Sequence, residues 1–223
     1  MVSAIITAAG RNRRMIEDLK AKKIPIKNKL LMDLNGKPVI VKTIENVLNS
    51  GVNRCIIVLG HYREEILPVI EQIDDKRIII VINKNLNVEL SQSLYNGILR
   101  AKKELCLCLA GDQPTVTTDT MKNLIKAASE FDDPKKIISV LARGKSGFLN
   151  SAEGLGMPFV CHSTTLKRYI KQNNSNLNPV LRKMIESGII FYGLEPLNSL
   201  ELVNINRYDD YLKINKKMEK NNL

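Results

Sequence analysis

The sequence predicts an α/β fold with a mostly parallel, mixed sheet and helices on both faces. Three observations predict it. Five short runs, "SAIITAA", "RCIIVLG", "RIIIVI", "LCLCLAG" and "KIISVLA", are continuously apolar rather than alternating, the pattern of strands covered on both faces. Amphipathic segments of helical period separate them, and strand–helix alternation implies parallel pairs. The chain has 223 residues, with no internal repeat or low-complexity linker, so 1–223 reads as one domain.

The elements follow in order. "SAIITAA" opens the sheet, and "TAAGRNRRM", Thr7 to Met15, turns out of it. "KLLMDL" is strand-like, with Lys29 just ahead of its apolar residues, and "NGKP" reads as a turn into a helix. That helix, "KPVIVKTIENVLNSG", has Pro38 near its start, Ile40, Ile44, Val47 and Leu48 on one face, and Gly51 as its stop. "SQSLYNGILRAKKE" reads as a helix capped by Ser91, and "TTDTMKNLIKAASEF" as one capped by a threonine. Residues 143–156 are glycine-rich and read as a long loop. Then come "FVCHS", two helical stretches, strand-like "GIIFYGL" and "LELVNI", and a last helix from near Arg207.

Charge and composition narrow the function. The net charge of +11 suits a polyanionic partner, either nucleic acid or a nucleoside triphosphate. Only 4% of residues are aromatic and none is Trp, so the stacking residues of a single-strand binder are missing and nucleic acid is disfavoured. Cys55, Cys106, Cys108 and Cys161 lie in apolar runs, and two histidines in the whole chain make a poor zinc site. They read as buried thiols. No leader segment or membrane-spanning run is evident, so a cytoplasmic location is expected.

Four stretches carry chemistry. Ala8, Ala9 and Gly10 follow the first strand, where small residues let backbone N–H groups approach phosphate oxygens, and Arg11, Arg13 and Arg14 add charge. The spacing is neither a dinucleotide nor a P-loop fingerprint, and an ordinary strand–helix turn is the plain alternative. Lys29 alone reads as a solvated surface lysine. Asp112 ends the buried run "CLCLAGD", where ligands of open α/β sheets bind. It suits Mg²⁺, which takes one or two carboxylates plus phosphates, or else it caps the turn after Pro114. Asn204 and Asn206, two apart in "LVNIN", would share a face at a strand end, though Asn206 alone reads first as the cap of the last helix.

Together, "ITAAGRNRRM", "KLLMDLNGKPVIVKTIENVLNSGVNRCIIVLGHYREEI", "NKNLNVELSQSLYNGI", "LAGDQPTV", "GMPFV" and "VNINRYDDY" resemble the MobA-like NTP transferases over nearly the whole chain. The nearest branch is the molybdenum cofactor cytidylyltransferases of the MocA type. The resemblance implies a Rossmann-like nucleotidyltransferase fold and Mg²⁺-dependent transfer from CTP to molybdopterin with release of pyrophosphate. A molybdoenzyme client is the implied partner. Guanylyl transfer, a sugar- or alcohol-phosphate acceptor, and a non-catalytic nucleotide-binding maturation protein are the alternatives.

The resemblance also implies roles. Ala8, Ala9 and Gly10 match the loop that holds the nucleotide, Arg14 the arginine of that motif, and Lys29 the lysine that reaches the triphosphate. Asn83, Ser91 and Ser93 match a segment lining the nucleotide site. Asp112 matches the magnesium-binding aspartate, and Asn204 and Asn206 the late element that closes the metal site. Arg14, Lys29 and Asp112 are thereby the catalytic candidates. Several positions depart from the family. Asn12 stands where Ser or Gly is usual, Met157 of "GMP" where histidine is frequent, and Ile16 to Asn28 form an insertion. That insertion makes Lys22, Lys23 and Lys27 competitors of Lys29, and its charged part, Glu17 to Lys27, is expected to be a mobile flap over the triphosphate.

Overall fold

The computed structural model describes residues 1–171 and 175–221. Its strands are β1 (Val2–Ala8), β2 (Asp33–Leu34), β3 (Lys37–Pro38), β4 (Arg54–Leu59), β5 (Ile78–Ile82), β6 (Leu105–Ala110), β7 (Ile137–Leu141), β8 (Gly147–Leu149), β9 (Phe159–His162) and β10 (Ile190–Leu194). The helices are α1 (Arg13–Ala21), α2 (Val39–Asn49), α3 (Arg63–Ile70), α4 (Leu90–Ile98), α5 (Thr118–Ser129), α6 (Ser163–Ile170), α7 (Leu177–Glu186) and α8 (Tyr208–Asn221).

Eight strands form one sheet in the order β5-β4-β1-β6-β9-β7-β10-β8. β1 pairs in parallel with β4 and β6, β4 with β5, and β7 with β10. β9 is antiparallel to β6 and β7, and β8 to β10. All five apolar runs are strands. β5 is only half buried because it is the outer strand.

Two helical layers cover the sheet, and β1 shows how. Ala4, Ile6 and Ala8 face a core shared with α1, α2, α3, α5 and α8, whereas Ile5 faces one shared with α4, α6 and α7. Ile5 and Ile6 have no solvent exposure, and truncating either to alanine would cost about 2–5 kcal/mol. The four cysteines are free and buried in these layers. Burial pushes the Cys55 and Cys161 thiols up to about 12 and also raises Cys106 and Cys108, which suppresses the reactive thiolate.

Several sequence expectations are corrected. "KLLMDL" is not a strand: the Asn28 side chain accepts from the Leu30 N–H and turns Lys29–Leu31 into a 3-10 helix, leaving only the two-residue β2. Asn35 and Gly36 both take positive φ and close β2 on β3 in a tight hairpin. Ser91 does not cap α4, which starts at Leu90 after Glu89; its hydroxyl accepts from the Ser175 N–H instead. Part of the 143–156 loop is the edge strand β8. "LELVNI" forms a 3-10 turn over Ser199–Leu202 followed by irregular chain, so Asn204 and Asn206 are not on a strand. The threonine cap of α5 is present: Thr117 accepts from the Thr120 N–H. Among the described residues no helix is long and apolar enough to cross a membrane.

The topology places the site. From β1 the chain moves outward through β4 to β5, then returns to lay β6 on the other side of β1. Neighbouring connections therefore diverge at the carboxyl ends of β1 and β6, which opens a crevice there.

Candidate active site

A cleft of about 530 Å³ occupies this crevice, within the range of small-molecule sites. Its floor is the end of β1 running into Ala8, Ala9 and Gly10, beside the end of β6 running into Asp112. The Gly111 N–H donates to the Thr7 carbonyl at 2.9 Å, so the two strand ends stay in register past their last residues. Gly60 backs the loop: a Cβ there would stand 2.8 Å from the Ala9 Cβ, so only glycine lets β4 end this close.

Asn12 explains one departure from the family. It takes φ 56°, the left-handed region open to glycine and to asparagine, and sits at the N-terminus of α1. The first turn of α1 thus faces the cleft with free N–H groups, and Arg11, Arg13 and Arg14 line it. Arg11 is held by Asn87 at 2.8 Å, and Arg14 donates to Asn206 Oδ1 at 3.0 Å.

Lys29 and Asp112 meet at the centre. The ammonium of Lys29 donates to Asp112 Oδ2, and both side chains are mostly shielded from solvent. Asp112 Oδ1 is buried with no partner. The one other such side-chain atom among the described residues is Asn12 Oδ1, also from a cleft residue. Unpaired buried polar atoms are rare and costly, and two in one cleft mark where a ligand completes the structure. Asp112 does not cap a helix; Thr117 does that for α5.

Of the predicted residues, Ala8, Ala9, Gly10, Arg14, Lys29, Ser93, Asp112, Asn204 and Asn206 line this cleft. Lys22, Lys23 and Lys27 do not; Lys22 pairs with Asp209 at 3.5 Å. Asn83 and Ser91 are also not lining residues. Asn83 is 1% exposed and stands behind Ser93, donating to its hydroxyl at 2.9 Å while accepting from Asn96 at 2.8 Å. The late asparagines differ. Asn204 Oδ1 accepts from Gln113 at 3.2 Å, whereas Asn206 does not cap α8 and has its oxygen on Arg14. The Ile205 N–H between them donates to the Asp112 carbonyl at 3.0 Å.

Sequence reasoning missed Gln113, Asn12, His61 and Asn176. Gln113 has no exposure and joins three pieces: its oxygen accepts from the Ala110 N–H, and its amide donates to the Met157 carbonyl and to Asn204. It was legible only as part of G-D-Q-P. His61, Asn176 and Met157 complete the wall.

The expected flap over Glu17 to Lys27 is corrected for its first part, Glu17 to Ala21. Its first residues continue α1 to Ala21, with Leu19 1% exposed in the core and Asp18 bonded to Arg207 and Tyr208.

A divalent cation fits this donor set. Asp112 Oδ1 is a hard, unpartnered carboxylate oxygen, and the amide oxygen of Asn206 lies in the same cleft.

The site is a basic, small-residue cleft at the switch point of an open α/β sheet, with Asp112 at its floor and Glu89 in its lining. Residues 4–187 match the MobA-like NTP transferase domain, and the chain belongs to that family. It is 38% identical to a nucleotidyl transferase from Methanothermobacter thermautotrophicus, with 99% of each chain covered and a TM-score of 0.91. The bifunctional protein GlmU of Acetivibrio thermocellus is 26% identical over 210 residues, 93% of this chain and 42% of that protein. The chain thus spans about two fifths of that curated relative's length. A Mycobacterium tuberculosis protein solved in complex with manganese shares the fold at 18% identity and a TM-score of 0.63, with 96% of this chain and 97% of that one covered.

Proposed function

We propose that the chain transfers a nucleoside monophosphate from CTP to a phosphate-bearing acceptor, molybdopterin, with release of pyrophosphate. The observation that carries it is the unpartnered oxygen of Asp112 beside Lys29 in a basic cleft. The family supports the reaction class, and the A-A-G opening and G-D-Q-P element support the cytidylyl branch.

Each residue has work that this chemistry needs. Backbone N–H groups of Ala9 to Asn12 and the start of α1 receive phosphate oxygens. Arg14 and Lys29 hold the triphosphate as charge builds on the leaving pyrophosphate. Asp112 and Asn206 would hold Mg²⁺, which would supply charge neutralisation when bound; the manganese-bound neighbour supports a divalent cation here. Asn204 Oδ1 already takes two donors, Gln113 and Arg143, and so positions the wall, whereas Asn206 Oδ1 takes Arg14 and keeps a lone pair for the metal. Ser93, set by Asn83, faces the nucleotide. The acceptor phosphate is ionised at neutral pH, so the residues position and neutralise rather than abstract a proton.

Met157 lines the cleft where the cytidylyl branch often has histidine, and it favours a sugar or alcohol phosphate as the second reading. Pyrophosphate release from each of four NTPs with Mg²⁺, with and without molybdopterin, tests both. Release with CTP and molybdopterin together is expected. Release with CTP and another phosphorylated acceptor alone supports the second reading, and no release from any combination rejects transfer.

A further inference from the structure

The insertion has a specific job in the geometry. Arg14 and Asp18 lie one turn apart on α1 and share a face. Arg14 donates to Asn206 Oδ1 at 3.0 Å. Asp18 accepts from Arg207 Nη1 at 2.8 Å and from the Tyr208 N–H at 3.1 Å. Asp18 is 18% exposed and Arg207 53%, so the ion pair itself contributes little and the part-buried Tyr208 N–H is the firmer of the two bonds. Asp210 takes the neighbouring N–H groups, Asn206 at 3.0 Å and Arg207 at 2.8 Å. Two carboxylates thereby satisfy three successive backbone donors ahead of α8, and one of the two comes from the insertion.

The consequence lies in the cleft. Residues 204–206 carry the amide oxygens and hang between Asp112, through the Ile205 N–H, and this turn. α1 begins at the loop after β1, so its contacts at Arg14 and Asp18 tie that loop to residues 206–208. We infer that Asp18 is a positioning residue that latches α1 to the start of α8 and so sets Asn206 for the metal, which makes the insertion part of the metal site's support. This rests on the nucleotidyl-transfer reading above. When an outer carboxylate fixes a ligand, its removal weakens the metal rather than the nucleotide.

Calorimetric titration of Mn²⁺ into the full chain, with a non-hydrolysable CTP analogue present, tests it. Asp18→Ala should lower Mn²⁺ affinity roughly tenfold, while the affinity for the analogue without metal stays unchanged. Arg207→Gln, which keeps the Tyr208 bond, should give a smaller shift in the same direction and serves if Asp18→Ala does not fold. Lower melting temperature with unaltered Mn²⁺ affinity in both variants would overturn the latch and leave Asp18 a structural residue. Wild-type protein that binds neither the analogue nor Mn²⁺ would instead overturn the transfer reading, and the latch with it.

Discussion

Glu201 and Asp112 are both inward-facing carboxylates near the entry to α5, and their surroundings differ. Glu201 has no exposure and accepts four hydrogen bonds: the Thr117 N–H at 2.8 Å, and the Thr117 hydroxyl, the Thr120 hydroxyl and the Leu197 N–H at 2.7 Å each. Asp112 has one side-chain partner, Lys29, and one oxygen with none. Both oxygens of Glu201 are held by local donors, Oε1 by three and Oε2 by one, and these bonds hold the 3-10 turn against α5. A buried oxygen with no partner is costly and is retained where a ligand completes it. The proposed division is that Glu201 serves stability and Asp112 serves chemistry.

That contrast is broken or sharpened by substitution. The largest effect belongs to Asp112→Ala: nucleotidyl transfer should fall by about three orders of magnitude, as when a key charge-stabilising group is lost. Its melting temperature should fall less than that of Glu201→Ala, because the change strands the Lys29 ammonium but also removes a buried oxygen that has no partner. Glu201→Ala should do the reverse. Stranding the Thr117 and Leu197 N–H groups should cost about 3 kcal/mol and lower the melting temperature by roughly 6–12 °C. Turnover per folded molecule should change little. A large activity loss in Glu201→Ala without a stability change would erase the distinction.

Lys29→Ala gives a smaller, two-signed effect. Binding of CTP should weaken about tenfold more than binding of CMP, because the β- and γ-phosphates lose a partner. Mn²⁺ alone should bind more tightly than to wild type, because Asp112 no longer has its resident cation. Equal losses for CTP and CMP would make the lysine structural. The smallest effect is negative: the four thiols should not react with a disulfide reagent at pH 8 until the protein unfolds, because burial raises their pKa values. Fast labelling of the folded protein would show that the layers open.

The same contrast shows what was legible in the sequence. Asp112 could be read because its signal is local: a buried apolar strand, small residues, then an acid. The sheet, and the turn after β1 that lines the cleft, were legible for the same reason, as short-range pattern. Glu201 was not, because its partners at Thr117 lie 84 residues away. Its inward pull also explains why "LELVNI", apolar enough for a strand, turns instead into a 3-10 helix. Asp18 meets Arg207 across 189 residues, so an anchored helix read as a flap. Lys29 read as strand-like because the Asn28 side-chain bond that bends the chain has no hydrophobic signature. Ser91 read as a cap on residue type alone, and its bond to Ser175 took precedence.

The central claim is that the free oxygen of Asp112 is a metal ligand. Electron paramagnetic resonance of Mn²⁺ in the presence of a non-hydrolysable CTP analogue tests it most directly, with wild-type protein compared to Asp112→Asn. One protein-bound Mn²⁺ is expected in the wild type and should be lost in the variant while the analogue still binds. A bound Mn²⁺ of unchanged affinity in Asp112→Asn would contradict it.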